Sequence, residues 1–145
     1  CIRDRNAMLS FLYTIFTREY AAALESVGLD SYMGFYHSLR PGRESLACDL
    51  VEEGRCIVER FVLTLINLKI IKPEDFDVQV SGAVFLNDDG RKKVLSKWQE
   101  KKRTDMIHPY LKEKIPMGLL PYVQSMLLAK FVRGEIDEYP CYLAK

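Results

Sequence analysis

Charge of one sign is the first thing this sequence lacks. Twenty-one Lys and Arg stand against 20 Asp and Glu, a net charge of +1, so there is no global basic field, and any nucleic-acid surface must come from local clustering of cations. Paired cysteines are missing too. Cys1, Cys48, Cys56 and Cys141 include no CxxC spacing, which argues against a zinc knuckle or ribbon and suits reduced thiols in a cytosolic protein. No apolar run reaches the length of a membrane span; the longest are broken by charges such as Arg60 and Lys69. There is no secretory signal, internal repeat or low-complexity segment. What remains is ordinary for a globular protein: 48% apolar and 28% charged residues in a chain of 145, enough for one domain with its own core. The sequence opens at Cys1 rather than at methionine, and residues 1–145 are expected to be a piece of a longer protein.

Apolar residues recur at helical spacing through Leu9, Tyr13, Phe16, Tyr20 and Leu24, predicting a helix from about Asn6 to Val27 with Gly28 as its stop. A stretch rich in Gly, Asp, Ser and Pro follows, ending in the loop signal Arg40-Pro41-Gly42-Arg43. A second long helix is expected from the stripe Leu46, Leu50, Ile57, Phe61 and Leu65; Gly54 interrupts it at a cost of about 1 kcal/mol relative to alanine. Lys72-Pro73-Glu74 reads as a turn into a short helix start. Val78 and Val80, the Ser81-Gly82 turn and the apolar run Ala83 to Leu86 predict one small β-hairpin. Asn87-Asp88-Asp89-Gly90 closes it and can cap a helix from Arg91 to about Arg103. That run lacks the spaced acids and terminal Glu of a calcium loop. A loop holding His108 and Pro109 leads to a last helix with Pro121 in its first turn, Leu120, Val123, Leu127 and Phe131 on one face, and Gly134 as its end. The tail from Glu135 is kinked by Pro140. The fold class is mainly α: a single helical domain with one small β-hairpin.

The sharpest chemical constellation is His37, Asp49 and Glu52. Asp49 and Glu52 lie three apart, so their side chains point to the same side of a helix, at the edge of the apolar stripe, where a carboxylate would be partly desolvated. Two carboxylates and an imidazole suit Mn²⁺ or Mg²⁺, ions that activate a water or hydroxyl and offset charge developing on a phosphate. The residues alone equally allow ion pairs, Asp49 with Arg43 and Glu52 with Arg55. Lys93, Lys97 and Lys101 recur every four residues, with Arg91, Lys92, Lys102 and Arg103 nearby and Trp98 on another side. That face is either simply solvated or a track for phosphates. Arg40 and Arg43 beside His37 are better placed for DNA, and Gly42 lets the backbone approach closely. His108, without a motif around it, reads as structural.

The motifs carry a resemblance. NAMLSFLY (residues 6–13) resembles a family's "NALLSFLY". GLDSYMGFYH (28–37) is similar to its "GLDP…GF-x-H", and PGRESLACDLVEE (41–53) to its "GR-x-SLA-x-DL-x-EE". Leu63 to Asn67 and Gly118 to Pro121 match later segments more loosely. The family is the CRISPR-associated spacer-acquisition integrase, also described as the universal endonuclease of those systems, and the texture is closest to members of the I-C subtype. The resemblance implies a helical C-terminal catalytic domain over residues 1–145. His37 would be the metal-binding histidine and Glu52 the downstream acidic ligand, with Asp49 beside them, supporting the ligands or facing substrate. Some members have Asp in place of Glu52, a change either carboxylate tolerates, and Pro where this chain has Ser31. The family's first ligand, a glutamate, precedes the NALLSFLY segment and so lies outside these residues; Glu19 and Glu25 sit in the wrong motif. The β-rich N-terminal dimerisation domain is also outside them, and this chain alone is expected to have little catalysis. The implied partners are double-stranded and branched DNA, a second copy in the intact protein and the small second CRISPR adaptation protein, with no membrane. The implied setting is the prokaryotic cytoplasm. A reading of another class is a non-catalytic helical DNA-binding or scaffold module, for which His37 and Glu52 would be dispensable.

Overall fold

Methionine, leucine and aromatic residues every fourth position make one side of the first helix continuously apolar, and the last helix, the first hairpin and the helix at Arg55–Asn67 pack on it. The structure, a computed structural model, describes residues 2–29, 50–140 and 142. Helix α1 (Ile2–Ser26) is the central strut. Its buried line is Met8, Leu12, Phe16, Tyr20 and Leu24. The sequence stripe predicted Leu9 and Tyr13, which instead pack at the edge of the core. The line is turned by one residue in the first half because α1 is covered from two sides, by the last helix and by the first hairpin.

Residues 50–53 are helical, the chain turns at Gly54, and helix α2 (Arg55–Asn67) resumes the direction of burial with Ile57, Val58, Phe61, Val62 and Leu65. Among the described residues the expected second helix is therefore interrupted, not merely weakened, at Gly54. The reason is steric. Gly54 is buried, and a β-carbon there would come 2.7 Å from Phe16 Cε2. The absent side chain lets this turn sit directly on α1.

A 3₁₀ turn (Pro73–Asp75) leads into the expected hairpin, β1 (Phe76–Val78) antiparallel to β2 (Val84–Leu86). Helix α3 (Asp88–Lys102) begins three residues before the predicted Arg91, because Asn87 itself caps it: its Oδ1 accepts from the Gly90 amide at 2.8 Å. A second hairpin, β3 (Asp105–Ile107) with β4 (Lys114–Pro116), occupies what the sequence predicts as a loop. A 3₁₀ turn (Met117–Leu119) delivers the chain to α4 (Leu120–Val132), which has Pro121 in its first turn and is followed by Gly134 at φ +77°. The mainly helical class with a small hairpin stands, with two two-stranded sheets among the described residues in place of one.

Trp98 of α3 is fully buried and meets Phe16 and Phe61 edge-on, with centroids 5.6 and 5.2 Å apart; such aromatic pairs add about 0.5–1.5 kcal/mol each beyond area burial. The tryptophan thus locks α1, α2 and α3 together. Among the described residues, no helix is long and apolar enough to cross a membrane.

Candidate active site

Four of the sequence-predicted site residues, His37, Arg40, Arg43 and Asp49, lie outside the described residues. Glu52 is described, on the last helical turn before Gly54. The sequence stripe predicts a partly desolvated carboxylate, but the Glu52 side chain is 55% exposed. Its Oε2 lies 3.4 Å from Arg55 Nη1, the pairing that the spacing allows, and Arg55 is shared with Glu59 at 3.2 Å. Such exposed pairs contribute little to stability, which leaves the Glu52 carboxylate available to a stronger cation. Hard, solvent-accessible carboxylate oxygen is the donor chemistry that Mn²⁺ or Mg²⁺ takes, so the one described ligand candidate fits such an ion. Among the described residues, no group of three His, Cys, Asp or Glu is gathered for a metal.

The inward acid of this turn is the next residue, Glu53, which sequence reasoning missed. Consecutive residues point about 100° apart around a helix of 3.6 residues per turn, so with Glu53 turned into the protein Glu52 faces out. Glu53 Oε2 accepts from the Tyr139 hydroxyl at 2.7 Å and from Gln124 Nε2 at 3.4 Å. Gln124, fully buried on α4, also donates to the Tyr139 oxygen at 2.8 Å and to the Pro140 carbonyl at 3.3 Å. Its own Oε1 is 2.6 Å from His108 Nε2. The other His108 nitrogen, Nδ1, accepts from the backbone amides of Tyr110 and Leu111, both at 3.2 Å. Nε2 must then carry the hydrogen and donate to Gln124. His108, 1% exposed, is therefore structural, as its lack of a motif predicts. Burial, and then the neighbouring Glu53 charge, push the Tyr139 hydroxyl far above the usual tyrosine range, so it stays an O–H donor. Burial raises the hydroxyl of Tyr20, on α1, well above that range too, followed by the same Glu53 charge.

The basic face of α3 divides. Lys93 Nζ grips both oxygens of buried Asp75, at 3.0 and 3.1 Å. Lys97 leans on Glu100 at 3.4 Å, and Lys101 is exposed. Lys102 reaches Glu19 at 2.8 Å, and Glu19 also accepts from Trp98 Nε1 at 3.3 Å. Glu19 is thereby absorbed into the core rim, consistent with its exclusion as a ligand. Lys97 and Lys101 remain open to an outside phosphate.

A mainly helical domain with an outward acid on an interrupted helix and a split basic face is the class that fold and site define. The sequence profile of the family described as "CRISPR associated protein Cas1" matches residues 4–100, and the chain belongs to that family. It is 50% identical over 141 residues to "CRISPR-associated endonuclease Cas1 2" of Rhodospirillum rubrum, covering 97% of this chain and 41% of that protein. The chain thus spans about two fifths of the length of that relative. Among solved structures it is similar to a casposase bound to integration product, with a TM-score of 0.87 and 25% identity over 95% of this chain and 38% of that one. It shares the fold of a chain in a partial Cas6-RT-Cas1–Cas2 complex, with a TM-score of 0.76 and 23% identity over 97% of this chain and 42% of the other.

Proposed function

We propose that this chain is the helical catalytic portion of a metal-dependent DNA endonuclease and integrase that inserts new spacers into a CRISPR array in the prokaryotic cytoplasm, serving antiviral defence. Membership of the Cas1 family over residues 4–100 carries the reading; the outward carboxylate of Glu52 supports it. The substrates are a short duplex with 3′-hydroxyl ends and the repeat end of the array. The hydroxyl oxygen attacks a phosphodiester phosphorus, the new P–O bond forms, and the old 3′-oxygen leaves. The reverse reaction opens branched DNA.

His37 and Glu52 would hold Mn²⁺ or Mg²⁺, with a further glutamate from a preceding segment. Such an ion, when bound, offsets charge on the phosphate and favours the ionised nucleophile. Asp49, three residues before Glu52 in the sequence, would support the ligands or face substrate. Arg40 and Arg43 would steady the phosphate beside His37, since guanidinium matches phosphate oxygens in a fork. Lys97 and Lys101 extend the contact along the backbone, while Lys93 acts mainly within the fold. A second copy and the small Cas2-type adaptation protein complete the working assembly in this reading.

The test is joining of a short duplex to a repeat-bearing plasmid by the complete protein with its partner and Mn²⁺. His37→Ala and Glu52→Gln are each expected to reduce joining by at least about 100-fold, the upper scale for damage around a metal site. Equal joining by wild type and both variants would place the chemistry elsewhere. Retained DNA binding with no joining by wild type would favour a non-catalytic binding module.

A further inference from the structure

The polar chain His108–Gln124–Tyr139–Glu53 is more ordered than a core needs. Every link has a settled direction. His108 Nε2–H donates to Gln124 Oε1, the Gln124 amide donates to the Tyr139 oxygen, and Tyr139 O–H donates to Glu53. Donors therefore run toward a single carboxylate, and charge-assisted bonds of this kind are the stronger ones. The chain joins α4 and the segment after it to residues 50–53, across a sequence separation of 86 between Glu53 and Tyr139. On its other side the same turn sits on Phe16 through Gly54. The helical turn that carries Glu52 is thus held at two points, by a steric seat at residue 54 and a hydrogen-bonded brace at residue 53.

From this we infer that Tyr139, backed by Gln124, is a positioning residue for the metal site: by fixing Glu53 inward it sets the direction in which Glu52 presents its carboxylate. The inference rests on the reading of Glu52 as a ligand. Tyr139 touches neither substrate nor ion; it acts through a single helical turn. A rotation of that turn by one residue's worth of angle would swap the outward and inward acids, and the Tyr139 hydroxyl opposes it together with the seat of Gly54 on Phe16.

Mn²⁺ affinity of the complete protein, read from the electron paramagnetic resonance signal of free Mn²⁺, tests this without any activity measurement. Tyr139→Phe keeps the ring and removes the donor. It should weaken Mn²⁺ binding by about 5- to 20-fold, near the lower end of effects from groups that orient ligands, and should speed hydrogen exchange of the amides of residues 50–54 without metal. Glu53→Gln keeps an acceptor for the Tyr139 hydroxyl and should weaken binding less than Tyr139→Phe does. Glu52→Gln should remove binding. If Tyr139→Phe binds Mn²⁺ within twofold of wild type while Glu52→Gln does not bind it, the brace is overturned and the site reading survives. If Glu53→Gln is as damaging as Glu52→Gln, Glu53 is a ligand and the inference is wrong. If Glu52→Gln binds like wild type, the site reading fails and takes the brace with it. Should Tyr139→Phe not fold, Gln124→Met, which removes the donor behind Tyr139, should show the same loss at smaller size; wild-type affinity in that variant overturns the proposal.

Discussion

Single atoms decide two positions. At Gly54 the backbone is at φ −94° and ψ 9°, which alanine can adopt, so its requirement for glycine is one of space alone. Phe16 cannot swing aside, because Tyr20 and Trp98 flank its ring at 5.0 and 5.6 Å. Gly54→Ala should therefore cost about 1–3 kcal/mol, as overpacking does, and urea denaturation should show the cost shrinking when Phe16→Leu makes room. Asp75 is governed by charge. Burial raises its carboxyl, but the bonds from the Lys72 amide and the Lys93 ammonium, with the charges of both lysines, outweigh that and hold it below the usual carboxylate range. A group depressed in the folded state adds stability above its unfolded value and loses it as pH falls through the folded one. Asp75→Asn should accordingly cost about 1 kcal/mol near pH 6, discounted because Lys93 is partly solvated, and progressively less as the pH falls below the ordinary carboxylate range. Thermal melting of both proteins across that range reads the difference.

Elements differ in how plainly the sequence announces them. The first hairpin was legible because Ser81-Gly82 punctuates an apolar run. The second was not: Asp105, Lys114 and Pro116 are poor strand formers in strands of three residues, and the ladder is short, extended by one further rung from Met117 N to Thr104 O at 2.9 Å. Helix α3 was legible in outline, but the division of its cations was not, since Lys93 is claimed by Asp75, 18 residues earlier. The division has a measurable result. Lys97→Glu with Lys101→Glu should weaken DNA binding by the complete protein and lower the slope of log affinity against log salt by about 2, one per lost phosphate contact. Lys93→Ala should lower the melting temperature and leave that slope nearly unchanged; a slope change as large as the double variant's would put Lys93 on the DNA.

Across the whole molecule, local pattern foretold most of the helices and the family motifs foretold the family, because both are written in short stretches. Part of what holds the turn bearing Glu52 is written far from it. Glu52 and Glu53 are the same residue type side by side, and Gln124 and Tyr139, 71 and 86 positions onward, bond the second and not the first. Synthesis runs in one direction, so that separation is also a delay. At about 5–20 residues per second, the ribosome makes the turn bearing Glu52 several seconds before it makes the tyrosine that bonds Glu53 beside it. A growing chain would carry Glu53 without its Tyr139 partner until the late segment folds back, so on the proposed reading the Glu52 carboxylate stays unaimed for that interval.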